Sequence, residues 1–115
     1  MARQKMPAAT VDTVRRRSQN RCERCGTDDA LRWSLHHRKP RGMGGSKDPA
    51  INSPANIVLL CGSGTTGCHG WIESHRAEAY TDGLLVYRID DPAEVEVRLR
   101  YGTVFLDDVG GVQQC

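Results

Sequence analysis

The chain has 115 residues, of which 38% are hydrophobic and only one is phenylalanine. A domain of this size with so few large apolar side chains buries only a modest core, so we expect a bound metal or disulfides to stabilise it. No apolar run is long enough for a signal peptide or a membrane span, which argues against a secreted or membrane protein. The expected location is the cytoplasm, where paired cysteines favour zinc over disulfides.

Positive charge is concentrated in the N-terminal part of the chain. The formal net charge is +2, but residues 1–41 carry eleven Lys or Arg against four Asp or Glu, whereas residues 42–115 carry five against ten. A basic region of this kind suits contact with a phosphate backbone, although a solvated charged surface would have the same composition. The candidate nucleic-acid contacts in it are Arg15, Arg16, Arg17, Arg38, Lys39 and Arg41.

The first elements predicted are a leader, a helix and a tight turn. Residues 1–9 show no periodicity and are predicted to form a flexible leader. Thr10 is the predicted N-cap of a short helix over residues 11–19, with Val11 and Val14 facing the core. The segment Cys22-Glu-Arg-Cys25, followed by Gly26, is typical of a zinc knuckle.

Two strands separated by a long loop are predicted next. Residues 30–37 alternate well enough for a strand with Leu31, Trp33 and Leu35 on one face. Residues 38–55 contain three prolines and three glycines without a helical or strand period, which predicts a loop. A loop of that length in a small domain is usually functional. Residues 56–61 are short and apolar and are predicted to form a buried strand.

A helix and a small β region complete the prediction. Residues 62–67 form a glycine-rich insertion, and a helix over residues 68–79 is expected to end near Tyr80 and Gly83. Residues 84–89, 94–101 and 103–108 are strand-like and are separated by turn residues. The predicted class is α+β in one domain, with the leader (1–9), the core (10–82) and a C-terminal antiparallel β extension (83–115).

Four of the five cysteines can form one zinc site. Cys22, Cys25, Cys61 and Cys68 can close a tetrahedral sulfur site around a structural Zn²⁺, which would hold the start of the chain against its middle. Six residues separate Cys61 from Cys68, and a glycine-rich loop can absorb that length. The same clamp is expected to bring His36, His37 and His69 together. Cys115 is left over and is expected to be a free thiol without a role.

The order and spacing of His36-His37, Asn56-Ile-Val-Leu-Leu-Cys61 and Cys68-His69 resemble the HNH endonucleases. In that family a His ends one strand, an Asn begins the next and a His begins a helix. The resemblance covers about residues 20–80, and the cysteines of the first pair match the zinc-binding pair of many members. The segment GSGTTGCHGWI is similar to HNH proteins of tailed phages that infect actinobacteria.

This resemblance implies a ββα-metal (His-Me finger) fold that hydrolyses DNA phosphodiesters with a divalent cation. The zinc knuckle, the N-terminal helix and the C-terminal β segment would surround that core. The implied partners are DNA and the phage terminase and portal proteins of DNA packaging, and a monomer without membrane contact is expected.

The family positions also imply roles for four polar residues. His37 matches the general base, and a neutral imidazole can accept a proton at neutral pH. Asn56 matches the residue that holds this base or the loop around it, whereas Asn52 lies four residues too early for the spacing. His36, at a position that is often Asp in the family, and His69 would hold a catalytic Mg²⁺, Mn²⁺, Ni²⁺ or Zn²⁺.

Helical geometry identifies the neighbours of His69. At about 100° per residue, Glu73 and Arg76 lie close to the direction of His69, whereas His75 lies about 120° away. Glu73 has two interpretations, either a contact to the same cation or a helix pair with Arg76. Arg76 is a further candidate for a phosphate contact.

A zinc-stabilised module that binds DNA or terminase without cutting is the alternative function. Such a module would need the four cysteines, but it would not need His37, Asn56 and His69 beside them. The nuclease is therefore the favoured prediction. Trp71 and Ile72 are expected to lie in the core in either case.

Overall fold

The computed structural model describes residues 6–40 and 49–115. Its elements in chain order are α1 (Ala8–Ser18), β1 (Trp33–His37), two short 3₁₀ helices (Pro49–Asn52 and Pro54–Asn56), β2 (Ile57–Cys61), α2 (Gly67–Ser74), α3 (Arg76–Thr81), a third 3₁₀ helix (Pro92–Glu94), β3 (Val97–Leu99), β4 (Gly102–Leu106) and β5 (Val112–Gln114). The predicted α+β class is confirmed. No helix in these two ranges is long and apolar enough to cross a membrane.

The strands form two antiparallel sheets. β1 pairs with β2, with Trp33 opposite Cys61 and His37 opposite Ile57. β3, β4 and β5 form a separate three-stranded sheet in that order. β3 and β4 lie within the segments predicted as strands, apart from the first residue of β4, Gly102.

The β1–β2 hairpin has two different faces, because successive side chains of a strand point to opposite sides. Val58 and Leu60 of β2 belong to the larger core cluster, together with Ile72 of α2. Ile57 and Leu59 pack instead with Val14 of α1 in a second cluster. We call these the α2 face and the α1 face of the hairpin.

The helix boundaries correct three predictions. α1 begins at Ala8, so residues 8 and 9 are helical and do not belong to a leader. Thr10 is not the N-cap: it is buried inside the helix, and its hydroxyl donates a 2.7 Å hydrogen bond to the carbonyl of Asn52. The single helix predicted over residues 68–79 is two helices, because His75 has φ −133° and ψ 52°, outside the helical region.

One strand prediction is wrong at its start and another is wrong altogether. The strand predicted over residues 30–37 begins only at Trp33, and Leu31, expected to share a face with Trp33 and Leu35, precedes the strand and is fully exposed. Residues 84–89 are not a strand, although Leu84, Leu85 and Val86 are buried and the two leucines belong to the larger core cluster. An apolar run predicts that a segment is buried, but it does not specify a strand. Here the buried segment is irregular and packs beside the hairpin.

Candidate functional site

The four cysteines predicted as zinc ligands lie together. One sulfur from each of Cys22, Cys25, Cys61 and Cys68 lies within 4.8 Å of the other three, and Cys25 Sγ is 3.8 Å from Cys61 Sγ. A tetrahedral site with Zn–S bonds of about 2.3 Å needs neighbouring sulfurs roughly 3.8 Å apart. The cysteines are free thiols, so this cluster fits a structural metal such as zinc.

The insertion between the second pair of cysteines folds into a tight turn. Ser63 and Thr66 exchange backbone hydrogen bonds of 3.1 and 3.2 Å. Gly62 and Gly67 close the base of this turn with φ values of 92° and 62°, and a Cβ at either would collide with the backbone across the turn. The extra residues therefore loop out and leave both sulfurs in place.

Hydrogen-bond donors surround the sulfurs. The backbone N–H of Cys25 donates to Cys22 Sγ and that of Cys68 donates to Cys61 Sγ, each at 3.4 Å. The Arg24 guanidinium donates to Cys68 Sγ, also at 3.4 Å. Burial alone would raise the pKa of the Cys22 thiol, but backbone N–H groups outweigh burial and lower this pKa to about 7. Cys22 is thus readily available as a thiolate ligand.

A second group of side chains that could hold a metal ion lies on the α2 face of the hairpin. His36 of β1 and His69 and Glu73 of α2 each offer one ligand atom, and these atoms lie within 4.8 Å of one another. The two imidazole centroids are 5.4 Å apart, and His69 Nε2 is 3.8 Å from Glu73 Oε1. Glu73 also pairs with Arg76 at 3.2 Å, which is one of the two contacts that the sequence left open for it.

The buried imidazole of His36 is held in one tautomer. Its Nε2 lies 2.7 Å from the carbonyl oxygen of Leu84, which can only accept a hydrogen bond. Nε2 therefore carries the ring proton, and the lone pair lies on Nδ1. Burial lowers the pKa of His36 to about 4, so the ring is neutral near pH 7 and can bind a cation.

His37 does not join this group, which corrects the expected convergence of three histidines. Adjacent residues of a strand point to opposite faces, and His37 lies opposite Ile57 on the α1 face. There its Nε2 is 2.9 Å from Oδ1 of Asn52. The backbone carbonyl of Asn52 in turn accepts from Thr10 of α1, so the helix holds the partner of His37 in place.

Asn56 contacts the backbone around His37 and not the ring. Its Oδ1 accepts from the N–H of Lys39 at 2.7 Å, and its amide donates to the carbonyl of Ile51 at 2.8 Å. Of the two contacts expected for Asn56, the structure shows the one to the loop. The His37 ring is held instead by Asn52, which lies four residues before the position that the family spacing gives for the asparagine.

Arg38 was predicted to contact nucleic acid, and the structure contradicts this because its side chain is fully buried. Its guanidinium donates at 2.8–2.9 Å to four backbone carbonyls, those of Gly83, Ala55, Pro92 and Val95. Burial lowers its pKa to about 10, so it stays charged at neutral pH. Arg38 joins the end of β1 to the irregular C-terminal segment and cannot reach a phosphate.

Arg17 is internal as well, so its predicted phosphate contact is wrong. It forms a bidentate pair with Glu23 at 2.8 Å, and the two side chains are 1% and 0% exposed. Glu23 also accepts from the N–H of Leu59 and from the hydroxyl of Tyr101, both at 2.9 Å. Because Glu23 directly follows Cys22, this network holds the first cysteine pair against β2 and the C-terminal sheet.

Three of the predicted basic contacts remain on the surface. Arg15 and Arg16 are exposed at the end of α1, and Arg76 is exposed on α3. Lys39 is half-buried, with Nζ 3.1 Å from the carbonyl of Asp90. Arg41 lies outside the described residues.

The two apolar residues expected in the core differ in burial. Ile72 is fully buried, as predicted. Trp71 is only half-buried and stacks on His75 with ring centroids 4.9 Å apart. The guanidinium carbon of Arg24 lies 4.0 Å from its ring centroid. Trp71 therefore covers the edge of the cysteine cluster.

Two residues at the histidine group were not selected from the sequence. Ser34 Oγ lies 2.9 Å from Nδ1 of His69, and the backbone of Leu84 holds His36. Ser34 could have been found by strand periodicity, since it lies two residues before His36 and on the same face. The contact with Leu84 has no local signal, because 48 residues separate the two partners.

Comparisons with family models, with curated proteins and with solved structures find no match for this chain. A functional assignment therefore depends on the chemistry of the cysteine cluster and of the histidine group.

Proposed function

We propose that this chain is a divalent-metal-dependent endonuclease that hydrolyses DNA phosphodiesters, with an HNH-type ββα-metal core and a structural Zn²⁺. The observation that carries the proposal is the group formed by His36, His69 and Glu73. It lies between an antiparallel hairpin and the helix that follows it. These are the elements that the resemblance to HNH endonucleases leads us to expect.

The donor set of this group suits a catalytic cation. Two imidazoles and one carboxylate match the ligands that divalent transition metals accept, and three protein ligands leave further positions open. A cation held there would stabilise negative charge on the phosphoryl and leaving oxygens. The cysteine cluster has four sulfur ligands and no such opening, so we assign it a structural role.

His37 is the proposed general base. Oδ1 of Asn52 accepts the proton on Nε2, which orients the ring. A neutral imidazole held in one tautomer is suited to take a proton from water. His37 lies on the opposite face of β1 from His36, so its role as the base stays a prediction from the resemblance.

The alternative remains a zinc-stabilised module that binds DNA or terminase without cleaving. The cysteine cluster supports both functions equally. The module does not account for the second group formed by His36, His69 and Glu73, because a zinc-stabilised module needs only the four cysteines. A place in phage DNA processing or packaging, beside terminase and portal proteins, stays a prediction from the resemblance.

Plasmid cleavage tests the proposal. The wild-type protein should cut supercoiled DNA with at least one of Mg²⁺, Mn²⁺, Ni²⁺ and Zn²⁺. His37→Ala should lower the rate by about 10² to 10⁴ while cation and DNA binding persist. His69→Ala should lose cation binding and cleavage together. His75→Ala is the matched control, since His75 is exposed and lies outside the group, and it should cut normally.

Two outcomes would contradict the proposal in different ways. Cleavage at the wild-type rate by His37→Ala would remove only the assignment of the base. An absence of cleavage by the wild-type protein with all four cations would make the binding module the better explanation.

A further inference from the structure

Ser34 connects the cysteine cluster to the histidine group. It lies opposite Leu60 on the α2 face of the hairpin. Its Oγ is 2.7 Å from the carbonyl oxygen of Gly62 and 2.9 Å from Nδ1 of His69. Because Gly62 directly follows Cys61, a chain of hydrogen bonds leads from the peptide beside one sulfur ligand to the proposed cation ligand His69.

Simple chemistry determines the direction of these hydrogen bonds. The carbonyl of Gly62 can only accept, so it takes the single hydroxyl proton of Ser34. Ser34 Oγ can then only accept from His69, which places the ring proton on Nδ1. The lone pair lies on Nε2, the nitrogen that is 3.8 Å from Glu73.

The backbone holds the acceptor in this chain firmly. The N–H of Gly62 donates to the carbonyl of Arg32 at 2.7 Å, which ties it to the residue before β1. Gly62 has φ 92°, and a Cβ there would collide with the carbonyl of Thr66. The carbonyl that receives the Ser34 proton therefore has little freedom to move.

Glu73 would favour the opposite tautomer if Ser34 were absent. A carboxylate is a strong acceptor, and a small movement from 3.8 Å would allow it to accept a proton carried by Nε2 of His69. The lone pair would then lie on Nδ1, away from Glu73. His69 in that tautomer has no lone pair to offer to a cation held with Glu73.

We propose that Ser34 is a positioning residue that holds His69 in the Nδ1–H tautomer, with the Nε2 lone pair directed to the cation site. The consequence for cation binding rests on the proposed function, whereas the tautomer itself does not. Histidines that bind metals commonly donate their other ring N–H to a nearby acceptor, and this hydrogen bond fixes the tautomer and the orientation of the ring.

The tautomer can be measured by long-range ¹H–¹⁵N NMR of the histidine rings, without metal at the histidine group. In the wild-type protein, Nδ1 of His69 should have the shift of a protonated nitrogen. Ser34→Ala should move the proton to Nε2 or give a mixture. Ser34→Thr keeps a hydroxyl and should behave like wild type, whereas Ser34→Val has the shape of threonine without the hydroxyl and should behave like Ser34→Ala.

Cation affinity provides the second readout. Ser34→Ala and Ser34→Val should bind Mn²⁺ about 10- to 100-fold more weakly than wild type, and Ser34→Thr should not. Ser74→Ala is the matched control, because Ser74 lies on the same helix as His69 and the variant removes its 2.9 Å contact with the His75 ring. It should leave both the His69 tautomer and Mn²⁺ affinity unchanged.

Each result decides the inference. A protonated Nε2 in wild-type His69, or a tautomer that is the same in Ser34→Thr and Ser34→Val, would overturn it. If wild type cuts DNA with none of Mg²⁺, Mn²⁺, Ni²⁺ and Zn²⁺ but the tautomer responds as described, the effect of Ser34 on the tautomer stands and the proposed nuclease fails. If wild type binds and cleaves but neither readout responds to Ser34, the nuclease stands and this inference fails. Should Ser34→Ala not fold, the Thr and Val variants still give the comparison.

Discussion

Replacing Arg38 with methionine should strongly destabilise the protein. Methionine retains an apolar stem but removes every donor from the four carbonyls that the guanidinium now serves. A buried acceptor left without a partner costs about 1–3 kcal/mol. Part of this cost is offset because methionine, unlike the buried guanidinium, carries no charge that must be desolvated. We therefore expect a loss of about 3–5 kcal/mol in the free energy of unfolding, a large share of the 5–15 kcal/mol that is typical of a domain.

Urea unfolding, monitored by tryptophan fluorescence, measures this loss. In a thermal melt, the melting temperature should fall by more than about 10 °C. Arg38→Lys should also be destabilised, because one ammonium has three donors and cannot satisfy four carbonyls. Arg16→Ala is the control. Because Arg16 is exposed, the free energy of unfolding of this variant should differ from that of wild type by less than about 0.5 kcal/mol.

DNA binding by the same variants separates a structural arginine from a phosphate contact. Arg16→Ala should reduce the slope of log affinity against log salt by about 0.9 if Arg16 contacts one phosphate. Arg38→Met should keep the wild-type slope in whatever fraction remains folded. If Arg38→Met instead unfolds at the wild-type urea concentration and reduces the salt slope, Arg38 faces DNA and our account of its burial is wrong.

Two further predictions concern the cysteines and the asparagines. Elemental analysis should find one tightly bound zinc per chain, and Cys61→Ser should lower both the zinc content and the unfolding midpoint; protein purified without chelators that contains no zinc would contradict this. Asn52→Ala should slow DNA cleavage while folding persists, because Asn52 holds the His37 ring. Asn56→Ala should lower the free energy of unfolding by about 1–3 kcal/mol, since three backbone groups lose their partner. Equal effects of both asparagine variants on folding would refute this division.

The sequence by itself determined the α+β class and the candidate metal ligands. Cys22 and Cys25 are close because their spacing is local, and four thiols in a small core have few other uses. His69 and Glu73 share one face because an α-helix places residues four apart on the same side. The buried β2 was found because an apolar run reports burial whatever surrounds it.

Only the tertiary structure decided what the polar residues contact. Charge in a sequence does not distinguish a surface arginine from one that donates to buried carbonyls, and the partners of Arg38 lie up to 57 residues away. The choice between Asn52 and Asn56 depended on which face of the hairpin His37 occupies, and that depends on the pairing register. Ser34 likewise became visible only when the turn after Cys61 brought a carbonyl to its hydroxyl. Contacts between distant segments arise from packing the whole chain, so local spacing cannot specify them.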